Sequence, residues 1–255
     1  MVEQAEFSPG LPGTSTHEAL TEPGLHSTRA TRLAWYAYDF GNTSVEFAIP
    51  YYLTPWMVSD LGVPAVLFGL ASAASSWAIG LSGPFIGVNA DEKRRRRVWF
   101  TASALVAVVL LASLNLLPHQ GTAALVFVVI TAMVANYFFQ LSSLIYNASM
   151  LSAAGSANVI SVSSLGMGLS FLGGVVGVGV IQVFISGKII PGVSGQGFAL
   201  FPAALVFLLC SIPSIFARGL WQKDTQAVAP PRALYWPVCE RFGKKPPEST
   251  ARAGF

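Results

Sequence analysis

The stretch GPFIGVNADEKRRRR, residues 83–97, decides the fold of this 255-residue chain. A long apolar segment precedes it, another follows it, and its last five residues, 93–97, are all lysine or arginine. A block of five cations is excluded from hydrocarbon. The stretch is therefore predicted to be a loop that is held at one face of a membrane.

The composition leads to the same class of protein. The chain is 53% hydrophobic and 11% charged, whereas a soluble domain carries about 25% charged residues. Its mean hydropathy is +0.58. We therefore predict an integral membrane protein whose partner is the lipid bilayer. The net charge of +3 does not indicate a nucleic-acid partner, because the cations follow the loops instead of forming one binding face.

Six apolar stretches are long enough to cross about 30 Å of hydrocarbon. We place these predicted spans near 33–58, 64–88, 98–117, 121–145, 159–185 and 197–217. If the N-terminus is cytoplasmic, the leader, the second loop, the fourth loop and the tail hold 2, 5, 0 and 7 cations, which is 14 of the 15. The positive-inside rule thus predicts six spans with both termini in the cytoplasm.

The chain divides into three regions. Residues 1–32, with four glutamates and no apolar core, are predicted to be a disordered cytoplasmic leader and not a signal peptide. Residues 33–217 are the transmembrane domain, in which 152–158 is a small polar loop. Residues 218–255 hold seven cations and five prolines, which predicts a flexible basic cytoplasmic tail.

Polar side chains form a stripe on the first predicted span. Asp39, Asn42 and Glu46 are spaced i, i+3, i+7 and share one helix face. Glu46 lies roughly 20 Å along the span, where a carboxylate costs about 2.5–3.5 kcal/mol on insertion scales. It is therefore expected to face a wet cavity, as a solute or proton site, or to be hydrogen-bonded between helices.

The fourth predicted span carries a second stripe. Asn136, Gln140, Ser143 and Asn147 follow at steps of 4, 3 and 4. One such stripe is common where membrane helices meet. Two stripes, on spans 1 and 4, indicate that the two helices present these faces to each other or to a common cavity. The lone Gln182 of span 5 is expected to form a packing hydrogen bond.

The fifth predicted span is rich in glycine, which indicates a closely packed neighbour. Its glycines are Gly166, Gly168, Gly173, Gly174, Gly177 and Gly179. A weaker Gly-x-x-x-Gly step, Gly83 to Gly87, lies on span 2.

The sequence does not favour an enzyme. It contains no Walker loop, dinucleotide loop or nucleophile elbow. Asp39 and Glu46 are about 10 Å apart along a helix, too far to share a proton. We expect no catalytic residues, no metal and no cofactor.

Several motifs resemble a transporter superfamily. Gly87, Asp91 and Arg96 resemble the loop signature of the major facilitator superfamily, which is Gly, three residues, Asp, Arg/Lys, x, Gly, x, Arg/Lys. Two positions differ, since Glu92 replaces the first basic residue and Arg94 replaces the inner glycine.

Three further segments resemble one branch of that superfamily, the autophagy-linked vacuolar amino-acid effluxers of fungi and their bacterial relatives. Residues 34–44, AWYAYDFGNTS, are similar to its YDFANS opening. Residues 146–151, YNASML, resemble its YNALLP segment, and residues 161–174, SVSSLGMGLSFLGG, resemble its VSGLGWALGYLGG stretch. The matches cover roughly 33–217 in the order of the family.

This resemblance implies an all-α membrane fold that is the N-terminal six-helix half of a major-facilitator-type transporter. Two such halves hold substrate between them near the midplane. The resemblance further implies that spans 2 and 5, with their glycines, face a second half. A second copy of the chain, as a homodimer, or another six-helix polypeptide would supply it.

The expected function is a secondary transporter, half-length or truncated, that moves a small polar solute such as an amino acid. The solute route would be lined by Asp39, Asn42, Glu46, Asn136, Gln140 and Asn147. The alternative is a non-transporting accessory or scaffold subunit, or a truncated remnant. The expected membrane is the plasma membrane of a bacterium or the vacuolar membrane of a eukaryote.

Overall fold

A computed structural model describes residues 27–92, 95–155, 159–188 and 195–221, and these ranges fold into helices without any β-strand. The α-helices are α1 (Arg29–Ala48), α2 (Ala65–Glu92), α3 (Arg96–Ser113), α4 (Thr122–Asn147), α5 (Met150–Ala154), α6 (Val159–Ile185) and α7 (Leu200–Phe216). Three 3-10 turns lie at Leu114–Leu116, Gln196–Ala199 and Arg218–Trp221.

Five helices of the described residues are long and apolar enough to cross a membrane: Ala65–Asp91, Arg96–Leu116, Thr122–Asn147, Val159–Ile185 and Gln196–Phe216. They coincide with predicted spans 2 to 6. The described part of the chain is therefore all-helical and has the architecture of an integral membrane protein.

Predicted span 1 coincides with a continuous helical segment, 29–60, which is less apolar than the other five. Its α1 carries Arg29, Arg32, Asp39 and Glu46, and further polar residues such as Asn42 also lower its mean hydropathy. Thr28 caps its first turn, where the Thr31 N–H donates to the Thr28 hydroxyl over 3.1 Å.

The far half of this segment is not a regular α-helix. Two π-helical turns, Ile49–Leu53 and Trp56–Asp60, continue α1. Pro50 and Pro55 fall within this stretch. A proline lacks an N–H and crowds the carbonyl four residues earlier, and a wider turn relieves that conflict.

The long helices pack in a pattern that repeats. α1 packs mainly on α6 and α7, α4 packs mainly on α2 and α3, and α3 also packs on α7. Exchanging α1, α2 and α3 for α4, α6 and α7 reproduces the same set of contacts. The bundle thus consists of two three-helix units with equivalent packing.

Glycines bring α1 and α6 into backbone contact. Gly166 faces the Trp35 ring, Gly173 faces the backbone of Phe40, and a Cβ added at Gly177 would meet Ser44. The Ser44 hydroxyl donates to the Gly173 carbonyl over 3.0 Å. The Thr43 hydroxyl, on the same face, is hydrogen-bonded to that of Ser170.

The expectation that these glycines face a second half is therefore wrong for Gly166, Gly173, Gly174 and Gly177. All four are buried against α1, Gly174 beside the Phe47 ring. Sequence alone could not identify the neighbour, because a glycine ridge indicates a close approach but not the helix that approaches. Gly168 and Gly179 lie on the opposite, open side of α6.

Aromatic rings fill the centre, where α1, α3, α4 and α7 meet. Tyr38 is fully buried. Its ring centroid lies 4.2 Å from that of Tyr146, 5.1 Å from that of Phe100 and 5.5 Å from that of Phe207. These ring contacts fix the position of α1 along the axis of α4.

Two short elements differ from the predicted loops. Residues 152–154, predicted as a polar loop, belong to helix α5. The first four residues of the predicted tail form the turn Arg218–Trp221, whose Trp221 ring packs 4.8 Å from the Phe100 ring and donates to the Ser214 carbonyl over 2.9 Å. Residues 1–26 of the predicted leader, 222–255 of the tail, and Lys93 and Arg94 of the basic block lie outside the described residues.

Candidate functional site

The polar face of α1 is organised by Asn42. Its side-chain N–H donates to a carboxylate oxygen of Glu46 over 2.8 Å. Its carbonyl oxygen accepts a hydrogen bond from the Ser143 hydroxyl of α4 over 2.7 Å. Asn42 is buried whereas Glu46 is exposed. The amide thus fixes the orientation of a carboxylate that faces open space.

A hydrogen-bonded seam joins α1 to α4 beside this pair. The hydroxyls of Tyr38 and Ser142 are 2.9 Å apart. The Tyr146 hydroxyl donates to the Trp35 carbonyl over 2.8 Å, and the two rings are stacked. Because these groups are buried, the seam satisfies the polar atoms that the helices carry into the bundle.

The polar stripe of α4 divides between two neighbours. Asn136 donates to the Ser75 hydroxyl of α2 over 3.1 Å, and Gln140 reaches the Ser76 hydroxyl over 3.4 Å. The stripe therefore faces α2 at this level and α1 at the level of Ser143.

A cavity of about 620 Å³ lies between α1, α2 and α4. Its polar lining comes from three elements: Glu46 of α1, Gln140, Ser143 and Asn147 of α4, and Asp91 and Arg96 at the α2–α3 junction. Its apolar wall is mostly α2, with Ile79, Gly80, Gly83 and Pro84. The cavity joins the interior of the bundle to the end that carries the basic block.

The residues of the loop signature meet at that end. Arg96 and Asp91 form an ion pair, the one such pair found within the described ranges. Gly87 lines the cavity, and a Cβ added there would meet nothing within 4 Å. The ion pair therefore links the end of α2 to the start of α3 beside the opening.

The structure brings six of the nine predicted site residues to one cavity: Glu46, Gln140, Asn147, Gly87, Asp91 and Arg96. Asn42 lies one hydrogen bond behind Glu46. Asp39 does not line this cavity, and Asn136 lines a smaller one of about 230 Å³ between α2 and α4. Solute binding by any of these residues stays a prediction.

Serines of α2 are the polar residues that the sequence reasoning missed. Besides Ser75 and Ser76, Ser82 is hydrogen-bonded through its hydroxyl to the Tyr137 hydroxyl of α4 over 2.8 Å. Serines recurring at steps of three to seven in an apolar helix were the available signal. The lone Gln182 was interpreted correctly, since it accepts a packing hydrogen bond from the Tyr52 hydroxyl over 3.2 Å.

Besides the Asp91–Arg96 ion pair, the cavity presents one exposed carboxylate, two amides and a hydroxyl, facing an apolar wall. Within the described part of the chain, no three His, Cys, Asp or Glu residues lie close enough together to hold a metal ion.

Comparisons with known proteins give no match: no protein-family model, no curated protein and no solved structure is similar to this chain.

Proposed function

We propose that this chain is a six-helix secondary-transporter module of the major-facilitator type, through which a small polar solute passes by way of the 620 Å³ cavity. The observation that carries this proposal is the composition of that cavity. Residues from both predicted polar stripes and from the loop signature line it together, although they are far apart in the sequence.

The cavity suits a small solute with a positive group. Its volume falls in the range of about 300–1,000 Å³ that is usual for small-molecule sites. The charges of Asp91 and Arg96 are paired with each other, so Glu46 leaves the lining with one uncompensated carboxylate. An amino group, as in an amino acid, complements that carboxylate.

The repeated packing of the bundle supports the fold assignment. Each half of a major-facilitator transporter contains two nested three-helix repeats, and the contacts of this bundle repeat with that period. In this assignment, segment 29–60 is the sixth crossing helix. Several of its polar groups are tolerable in a membrane because α4 and α6 satisfy them, as the bonds of Asn42 to Ser143 and of Ser44 to Gly173 illustrate.

Alternating access by rocking requires a second bundle. We place it on the outer faces of α2 and α6, as a second copy of this chain or another six-helix unit. α2 exposes Leu70, Trp77 and Phe85 at 64%, 72% and 79%, and α6 exposes Phe171 at 61%. These large side chains form the apolar surface that a partner bundle would cover.

Proteoliposomes that contain the purified chain test the transport role. Uptake of radiolabelled amino acids is measured under proton and sodium gradients, for the unchanged chain and for Glu46→Gln. The matched control is Asp39→Asn, which removes the other carboxylate of the same helix outside the cavity. We expect Glu46→Gln to abolish most of the flux and the control to retain most of it.

The opposite results are equally informative. Equal loss in both variants would mean that the cavity is not the route. If the folded, unchanged chain gives no flux under any gradient, autonomous transport is rejected, and a non-transporting accessory subunit takes its place.

A further inference from the structure

A second large recess lies on the outside of the bundle, away from the solute cavity. It measures about 880 Å³ and is formed by the start of α1 and the end of α7. Its two ridges, Leu33 and Phe216, are 67% and 70% exposed. Between them, Ala34 and Ala37 contribute only methyl groups to the lining. The recess is therefore a groove between two apolar ridges, open toward the surroundings of the bundle.

The lining of this groove changes from polar to apolar along its length. One end holds Thr28, Thr31 and Arg218, while Ala37 and Pro213 lie further along the two helices. The nine steps from Thr28 to Ala37 span about 14 Å of helix, including the polar end. A ligand that fills this length has a charged end and an extended apolar part.

One cation lines the polar end of the groove, and a second lies beside the Phe216 ridge. Arg218 lines the groove. The Arg97 guanidinium is 5.9 Å from the centroid of the Phe216 ring, so it adds a second positive charge beside the same ridge. Within the described ranges neither forms an ion pair. The polar end thus complements an anion.

The position of the groove in the membrane follows from the charges of the chain. It lies at the end of the bundle that carries Arg29, Arg32 and residues 95–97, which the positive-inside rule predicts to be cytoplasmic. Anionic lipids populate that leaflet, and basic recesses among membrane helices bind their headgroups.

We infer that this groove binds an anionic phospholipid. The phosphate lies against Arg218, with Arg97 beside the Phe216 ridge as a second positive charge, and one acyl chain lies between the ridges over Ala34 and Ala37. A free phosphate would use only the polar end, whereas the apolar length of the groove matches an acyl chain. The inference requires that the protein resides in a membrane, but it does not depend on transport.

Native mass spectrometry of the full chain in detergent tests this inference. Phosphatidylglycerol and phosphatidylcholine with identical acyl chains are titrated, and the apparent Kd of each is measured. Arg218→Ala is compared with Arg95→Ala, which removes an exposed cation at the same end outside the groove. Arg218→Lys, which keeps the charge, is the rescue variant.

We expect phosphatidylglycerol to bind more tightly than phosphatidylcholine. Loss of one cation near the membrane surface weakens anionic-lipid binding about five-fold. Arg218→Ala should show this loss, while Arg95→Ala and Arg218→Lys should stay near the unchanged chain. Ala37→Leu, which fills the groove without changing a charge, should also weaken binding.

Three results would overturn the inference. Equal affinities of Arg218→Ala and Arg95→Ala for phosphatidylglycerol would show that the groove holds no headgroup. Equal affinities of the unchanged chain for the two lipids would show that the site does not distinguish headgroups by charge. Displacement of the lipid by millimolar glycerol phosphate would mean that the site takes a free phosphate. The melting temperature of each variant is measured in parallel, and Leu33→Ala replaces Ala37→Leu if the latter does not fold.

Discussion

Replacing Gly173 with alanine is expected to force α1 and α6 apart. A Cβ at Gly173 would lie 2.7 Å from the Phe40 Cα and 2.8 Å from its carbonyl carbon, whereas ordinary contact begins at 3.4 Å. The obstructing atoms belong to the backbone, so no side chain can rotate away. The Phe40 carbonyl oxygen would lie closer still. The two helices must therefore separate by at least about 0.7 Å, the shortfall of the Cα distance from ordinary contact.

The cost follows from two contributions. Overpacking of a close-packed interface costs about 1–3 kcal/mol. The separation also stretches the hydrogen bond from the Ser44 hydroxyl to the Gly173 carbonyl, and interhelical hydrogen bonds in membranes contribute about 0.6 kcal/mol. The control is Gly168→Ala on the same helix, where the new Cβ meets nothing within 4 Å. Because the gain in helix propensity is common to both variants, we expect Gly173→Ala to be less stable than the control by about 2–4 kcal/mol.

The assay is equilibrium unfolding in mixed micelles with increasing dodecyl sulfate, followed by far-ultraviolet circular dichroism. Linear extrapolation gives the free energy of unfolding for each variant. If Gly173→Ala and Gly168→Ala unfold with the same free energy, α1 and α6 are not in backbone contact at this level. The packing of the bundle would then be wrong where it is tightest.

Two further predictions concern the seam and the orientation. Tyr38→Phe removes a hydroxyl that lies 2.9 Å from a serine hydroxyl of α4, so it should lower the free energy of unfolding by about 0.6 kcal/mol in the same assay. Tyr36→Phe is its control, because the Tyr36 hydroxyl forms no hydrogen bond to a described residue. Equal losses of unfolding free energy in the two variants would show that the seam between α1 and α4 does not contribute to stability. In sealed bacterial cells, with both native cysteines replaced, an impermeant thiol reagent should label Gln120→Cys but not Arg95→Cys; labelling of Arg95→Cys alone would reverse the predicted orientation.

Helix positions were predictable from the sequence because hydrocarbon demands long apolar runs. The limits of α2, α4 and α6 lie within about four residues of the predicted spans. The wide turns after α1 were not predicted, since hydrophobic periodicity does not reveal how prolines such as Pro50 and Pro55 are accommodated.

The candidate site was predictable in part. The steps of three and four residues placed Glu46, Gln140 and Asn147 on helix faces that do meet at one cavity. Spacing within one helix cannot tell which neighbour a face will meet. Asn136 illustrates this, because its amide bonds Ser75 of α2 and not a residue of α1.

The wide turns of the first helical segment act as single-residue insertions. Each accommodates one residue more than an α-helical turn, so side chains beyond it are rotated by about 100° from the positions an unbroken α-helix would give them. Trp56 and Met57 follow the first of these turns and are both buried, Trp56 with its ring 5.4 Å from that of His119. In an unbroken helix both side chains would point about a quarter of a circle away from their present direction. The rotation that the wide turn introduces therefore directs Trp56 and Met57 into the interior at this end of the bundle.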